Sequence, residues 1–120
     1  MPLKRRKNPT PPATDRCPLT NCMSLLAGAW TPHIIWALSS GPRRFSELRS
    51  DLPWVSAKVM TAHLRGLEDK AIVLRRDMPT SPPTVEYSLT EIGRELLPVI
   101  RTMAEVGNRA WDLQNRRRAA

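Results

Sequence analysis

Between residues 56 and 67 the chain reads SAKVMTAHLRGL. On a helix of about 3.6 residues per turn, Met60, Leu64 and Leu67 stack in one narrow stripe, with Val55 just ahead of it. That stripe must be buried. Lys58, Ala62 and Arg65 fall on the far side with Thr61 beside them, and Ser56 stands where an N-cap belongs. Two cations, a hydroxyl and a methyl make an unusual outer face, suited to a groove lined with phosphates, and a helix N-terminus is itself a place for an anion. Just upstream, Phe45, Leu48 and Leu52 give a short apolar side to residues 46–52, followed by Pro53-Trp54. Two short helices joined by a tight turn are the plan of a helix-turn-helix, whose second helix enters the major groove while the first crosses the backbone. The same spacing also fits an ordinary amphipathic helix facing water, so the rest of the chain has to decide.

Earlier in the chain, Leu19, Met23, Leu25 and Leu26 recur at helical spacing and predict a first helix over 18–27, with Pro18 in its first turn and Gly28 as its stop. Thr31 before Pro32 reads as the N-cap of a second helix. Ile34, Ile35 and Leu38 form its apolar side, it ends near Gly41-Pro42, and Trp30 and Trp36 are expected in the core rather than as base-stacking rings. Arg43-Arg44-Phe45 sits where a winged domain places a small strand.

After the groove helix, Ile72-Val73-Leu74 with Arg75-Arg76-Asp77 predicts a strand, and residues 84–89 its partner, with Val85, Tyr87 and Leu89 on one face. The tip between them, residues 78–83 (MPTSPP), is stiffened by three prolines. A stiff loop flanked by Arg75 and Arg76 is a wing, placed to lie on the sugar-phosphate backbone. Thr90 then caps a last helix, along which Ile92, Leu96, Ile100, Met103 and Gly107 fall near one line with Val99, Val106 and Ala110 close to it. Trp111 sits near its end, and Pro98 should bend it. The stripe is wider than a small winged domain covers alone, which predicts a second copy of the chain against it and against the first helix.

Charge sharpens the picture. The chain has 120 residues, enough for one domain, and its 41% hydrophobic content is ordinary. Nineteen Lys and Arg against eleven Asp and Glu, a net charge of +8, are not ordinary and point to a polyanion as partner. Residues 1–14 are Pro-rich, carry Lys4, Arg5, Arg6 and Lys7, and read as a flexible basic arm. Arg116, Arg117 and Arg118 mark a basic tail over 112–120, leaving a domain of residues 15–111 that includes a dimerisation helix over 90–111.

No apolar run is long enough to cross a bilayer and no secretory signal is present, so a cytoplasmic protein working on DNA is expected. Catalysis is not expected, because two distant histidines, His33 and His63, with no Gly-rich phosphate loop and no clustered carboxylates make no acid-base or nucleophilic constellation. The same two histidines with Cys17 and Cys22 are a poor zinc set, and no metal or cofactor is expected. RNA is disfavoured, since no sheet with stacking aromatic residues is predicted.

Taken together, the order and the residues resemble the HxlR-type family of bacterial winged helix-turn-helix transcriptional regulators over about residues 17–107. The resemblance is carried by Cys17-Pro18, by Gly28-Ala29-Trp30-Thr31, by the run from Gly41 to Leu48 (GPRRFSEL), by residues 56–67, and by Val85-Glu86-Tyr87-Ser88-Leu89-Thr90 with Gly93 following. It implies a mainly α fold with a small antiparallel β wing, dimerising through terminal helices and binding operator DNA to repress or activate nearby genes. It also implies a sensor role for Cys17, which matches the N-terminal cysteine through which many members are thought to respond to electrophiles, aldehydes or oxidants. From the residues alone, Arg16 and a helix N-terminus would favour a Cys17 thiolate, while a buried small hydrophobe is the other reading.

Two departures stand out. Ala57, Ala62 and His63 replace long polar side chains, so base readout would lean on Lys58, Thr61, Arg65 and contacts with thymine methyls. Lys70-Ala71 stands where Asp-Gly is usual, removing a glycine suited to positive φ.

The expected DNA-facing set is therefore Arg43, Arg44, Ser46, Ser56, Ala57, Lys58, Thr61, Ala62, Arg65, Arg75 and Arg76, with the recognition helix over about 56–69 and the wing over 72–89. The expected dimer contacts are Leu19, Met23, Leu96, Ile100, Met103, Gly107 and Trp111, and the expected target is a pseudo-palindromic duplex. A winged helix used only to bind an acidic protein through Lys58 and Arg65 is the alternative.

Overall fold

The structure, a computed structural model, describes residues 17–119, so the basic arm and Arg16 lie outside the described residues. Five helices and three strands follow one another: α1 (Pro18–Leu25), α2 (Thr31–Ala37, continued by a tighter turn over Leu38–Ser40), β1 (Arg43–Arg44), α3 (Phe45–Asp51), α4 (Ala57–Asp69), β2 (Val73–Met78), β3 (Thr84–Leu89) and α5 (Glu91–Ala119). The strands form an antiparallel sheet in the order β1-β3-β2. Tyr87 of β3 pairs with Arg43 on one side and Arg75 on the other, and Glu86 with Arg44 and Arg76. Because side chains alternate along a strand, Arg43, Tyr87 and Arg75 share the core-side face and Arg44, Glu86 and Arg76 the outer one.

The stripe on α4 is buried as its spacing requires. Met60, Leu64 and Leu67 pack with Leu48 and Leu52 of α3, with Ile34 and Ile35 of α2, and with Ile72, Tyr87, Leu96 and Ile100. Burying each such side chain contributes roughly 1.5–3 kcal/mol, so this cluster fixes how α4 is held on the body. Both ends of α4 are capped. The Ser56 hydroxyl accepts from the Val59 N–H at 3.2 Å. At the other end the Ala71 N–H donates to Glu68 O and the Ile72 N–H to Leu67 O, both at 2.9 Å, with Ala71 at φ 60°. That is a Schellman closure with alanine in the left-handed position where glycine is the unstrained residue.

α2 begins differently from expectation. Thr31 is its first residue and not its N-cap, which is Trp30, and the Thr31 hydroxyl donates back to Ala27 O at 2.9 Å. It faces inward against Gly28, where a Cβ would come within 2.5 Å of Thr31 Oγ1 and 3.1 Å of His63 Cε1. Trp36, expected in the core, is 43% exposed, because Ile34, Ile35 and Leu38 already fill the inward side of α2. Trp30 does pack against the core. α1 stops at Leu25 and buries no residue completely, and Lys70 ties its end to α4 by donating to Ser24 O at 2.7 Å.

α5 is capped by Thr90, whose hydroxyl accepts from the Gly93 N–H at 3.2 Å. It crosses the sheet at Gly93, where a Cβ would stand 2.5 Å from Ile72 O. The helix continues through Ala119, so residues 112–119 extend it instead of forming a separate tail. Leu96 and Ile100, expected at the dimer contact, are only 4% and 6% exposed and belong to the subunit's own core, because this half of α5 still lies on the body. Past Ile100 the same stripe emerges, with Met103 49% and Trp111 66% exposed, and Gly107 with open space beside it. Among the described residues no helix is long and apolar enough to cross a membrane.

Candidate nucleic-acid interface

With its apolar side fixed inward, α4 turns Ser56, Ala57, Lys58, Ala62 and Arg65 outward, and all five are exposed. The helix carries no carboxylate before Glu68 and Asp69 in its last turn. Among the described residues the ion pairs are Arg43–Asp51 and Arg75–Asp77, so Lys58 and Arg65 face outward without an acidic partner. Thr61 is half-buried and its hydroxyl donates to Ala57 O at 2.8 Å, so the helix backbone already holds its proton and the oxygen remains as an acceptor. Val59, absent from the expected set, is also exposed beside Lys58.

Arg44, Ser46 and Thr61 line one shallow groove with Pro83, Thr84 and Tyr87, between the start of α3, the middle of α4 and the root of the wing. The Arg44 backbone N–H donates to Glu47 Oε1 at 2.9 Å, which caps α3 and leaves the Arg44 guanidinium on the exposed face of β1. Thr84 was not among the expected contacts. Its signal lay in the hairpin register, which no single-residue reading supplies. On β2, Arg76 lies on the outer sheet face opposite Glu86, and Arg75 makes a loose, exposed pair with Asp77 at 3.4 Å, an arrangement that adds little stability. The wing tip is braced internally, with the Thr80 and Thr84 hydroxyls 3.0 Å apart.

Arg43 departs from its expected place. Its Nε donates to Asp51 Oδ2 and its Nη2 to Oδ1 at 2.9 Å, a two-pronged tie between β1 and α3. It lies on the core side of the sheet while Arg44 takes the outer side, so Arg43 ties the helix-turn-helix to the sheet instead of standing open at the surface as expected. The hydrogen bonds from Arg43 hold the Asp51 carboxyl below the usual carboxylate range.

Cys17 sits at the N-cap of α1, half-exposed, with a free thiol. The Thr20 and Leu19 backbone N–H groups, with help from the Thr20 hydroxyl, hold that thiol below the ordinary cysteine range. Cys22, inside α1, packs against the core.

The HxlR-like helix-turn-helix model matches residues 25–115. The chain belongs to the HxlR-like helix-turn-helix family. One relative, the HTH-type transcriptional regulator YdeP of Bacillus subtilis (strain 168), is 36% identical over 106 residues, 88% of this chain and 83% of the relative. Among solved structures, the redox regulator HypR in its oxidized form is 37% identical with a TM-score of 0.71, covering 77% of this chain and 95% of HypR. The reduced form of the transcriptional regulator YodB from B. subtilis is 38% identical with a TM-score of 0.67, covering 74% and 88%. The chain is thus a transcriptional regulator of the winged-helix type, in which α3 and α4 are the helix-turn-helix and the β2–β3 hairpin is the wing.

Proposed function

We propose that this HxlR-like regulator binds a pseudo-palindromic operator as a homodimer, with α4 in the major groove and the wing on the adjacent backbone. The observation that carries this reading is the outward side of α4: Lys58 and Arg65 exposed, without an acidic partner among the described residues, on a helix whose other side is wholly in the core. Lys58, Arg65, Arg44 and Arg76 contact phosphates or guanine edges, while Ala57, Ala62 and Val59 meet thymine methyls. Ser56 and Ser46 stand at the starts of α4 and α3, where backbone N–H groups receive phosphate oxygens. Arg75 keeps a lesser phosphate role because Asp77 competes for it.

The dimer is formed by Met103, Val106 and Trp111 of α5 with Leu19 and Met23 of α1, all exposed large apolar groups on the two terminal helices. We further propose that Cys17 is the signal-responsive residue. Its half-exposed thiol on a helix N-terminus is chemically ready for electrophiles and oxidants, and the redox regulator HypR supports this reading by its kinship.

Selecting bound duplexes from a random pool tests the reading. The reduced chain is expected to enrich one two-fold site, and treatment with an electrophile is expected to abolish or shift that enrichment in the wild type but not in Cys17→Ser. Equal recovery of all duplexes at physiological salt would remove the specific-binding claim; identical behaviour of wild type and Cys17→Ser would remove the sensing claim alone.

A further inference from the structure

A concavity of about 640 Å³ opens between α2, the α3–α4 turn and α5, away from the outward side of α4. Three ring side chains, His33, Trp36 and Trp54, line it together with Leu52, Ile100 and Met103. Trp36 and Trp54 are 43% and 60% exposed, two large indoles left to water on one recess while Ile35 and Leu52 beside them are buried. Exposed rings gathered on a concave surface suit a flat apolar ligand, and the volume is ample for a molecule of two fused rings.

The polar side of the recess is the Arg43–Asp51 pair, beside Ser39 and Ser40. Asp51 takes the Arg43 Nε–H and one Nη2–H, which leaves the other guanidinium N–H groups without an acceptor among the described residues. The pair is neutral as a unit but rich in donors, and it is set in a chain of net charge +8. An oxygen acceptor with negative charge fits that edge better than a cation does.

We propose that this recess binds a planar aromatic carboxylate, its rings against Trp36 and Trp54 and its oxygens on the unused Arg43 N–H groups. A second copy of the chain is the competing occupant. Its proposed contact runs along Met103, Val106 and Trp111 of α5 with Leu19 and Met23 of α1, and of these only Met103 lines the recess. The ligand touches both α5 and Leu52 and Trp54 of the turn that leads into α4, so it bridges α5 and that turn. Binding itself does not depend on the DNA-binding reading.

The test titrates the full, reduced chain with naphthalene-2-carboxylate, its carboxamide and the saturated decalin-2-carboxylate, following heat and the indole N–H signals of the tryptophans. Expected is saturable binding of one naphthalene-2-carboxylate per subunit, with the saturated acid and the carboxamide each about tenfold weaker. Trp36→Ala, a change at an exposed ring, is expected to weaken binding about tenfold while the melting temperature stays put. Arg43→Gln is expected to erase the preference for carboxylate over carboxamide, and the wild-type comparison of those two ligands reads the same contact if that variant folds poorly. No saturable binding up to about 5 mM, or equal affinity for aromatic and saturated acids, overturns the proposal. So does binding seen only in a monomeric variant, which would assign the recess to the second copy.

Discussion

α4 and the outer half of α5 present chemically opposite sides to their surroundings, although α4 keeps one side in the core while almost every residue of α5 beyond Ile100 is exposed. On α4 the outward side carries Lys58, Arg65 and small groups; on α5 beyond Ile100 it carries Met103, Val106, Trp111 and Leu113. A cationic, small-residue side is made for a polyanion, which arrives with its own phosphates and thymine methyls. An exposed apolar side is made for a surface of its own kind. α2 packs against α5 and against α3, and the shared core holds α4 to them, so that in the proposed dimer the spacing of two α4 helices follows from how two α5 helices meet.

The largest effect should come from breaking the apolar side. Val106→Glu is expected to leave each subunit folded but convert the dimer to monomers in sedimentation, and to weaken duplex binding by about 100-fold or more through loss of two-site attachment. Next, the boundary on α5 is tested by a pair of changes. Ile100→Ala is expected to cost about 2–4 kcal/mol in denaturant unfolding because it empties the core, whereas Met103→Ala should cost the isolated subunit little and act on association.

Smaller again, Ala71→Gly is expected to stabilise the domain by about 1 kcal/mol by relieving the left-handed alanine at the end of α4, without altering DNA affinity. The smallest effect concerns acid. The folded Asp51 carboxyl lies below its unfolded value, so its contribution is fully present above the unfolded pKa and is lost as pH falls through the folded one. Asp51→Asn should therefore be slightly less stable than wild type at neutral pH, with the gap closing below about pH 4 in thermal melts.

Much of this was legible in the residues. The Met60, Leu64 and Leu67 stripe, the Ser56 cap, the hairpin partners and the strained turn at Ala71 all follow from local chemistry and spacing, and the structure has each of them. What was not legible depends on tertiary placement. Leu96 and Ile100 lie on the same periodic stripe as Met103, and only the position of the body's edge separates core from exposed surface. The tie from Arg43 to Asp51 spans two elements, so neither residue announces it. Residues 112–119 read as a tail because their arginines hide the helical pattern. Arginine and alanine are good helix formers, however, and Arg116, Arg117 and Arg118 sit at a helix C-terminus where positive charge is favoured.

The most direct measurement is the salt dependence of affinity for the selected duplex, compared between wild type, Lys58→Ala and Arg65→Ala. Each variant is expected to bind about tenfold more weakly, and loss of a phosphate contact should lower the slope of log affinity against log salt by about one per α4 helix, with the melting temperature unchanged. Affinity and slope unchanged in both variants would mean that the outward side of α4 is not where this regulator meets DNA.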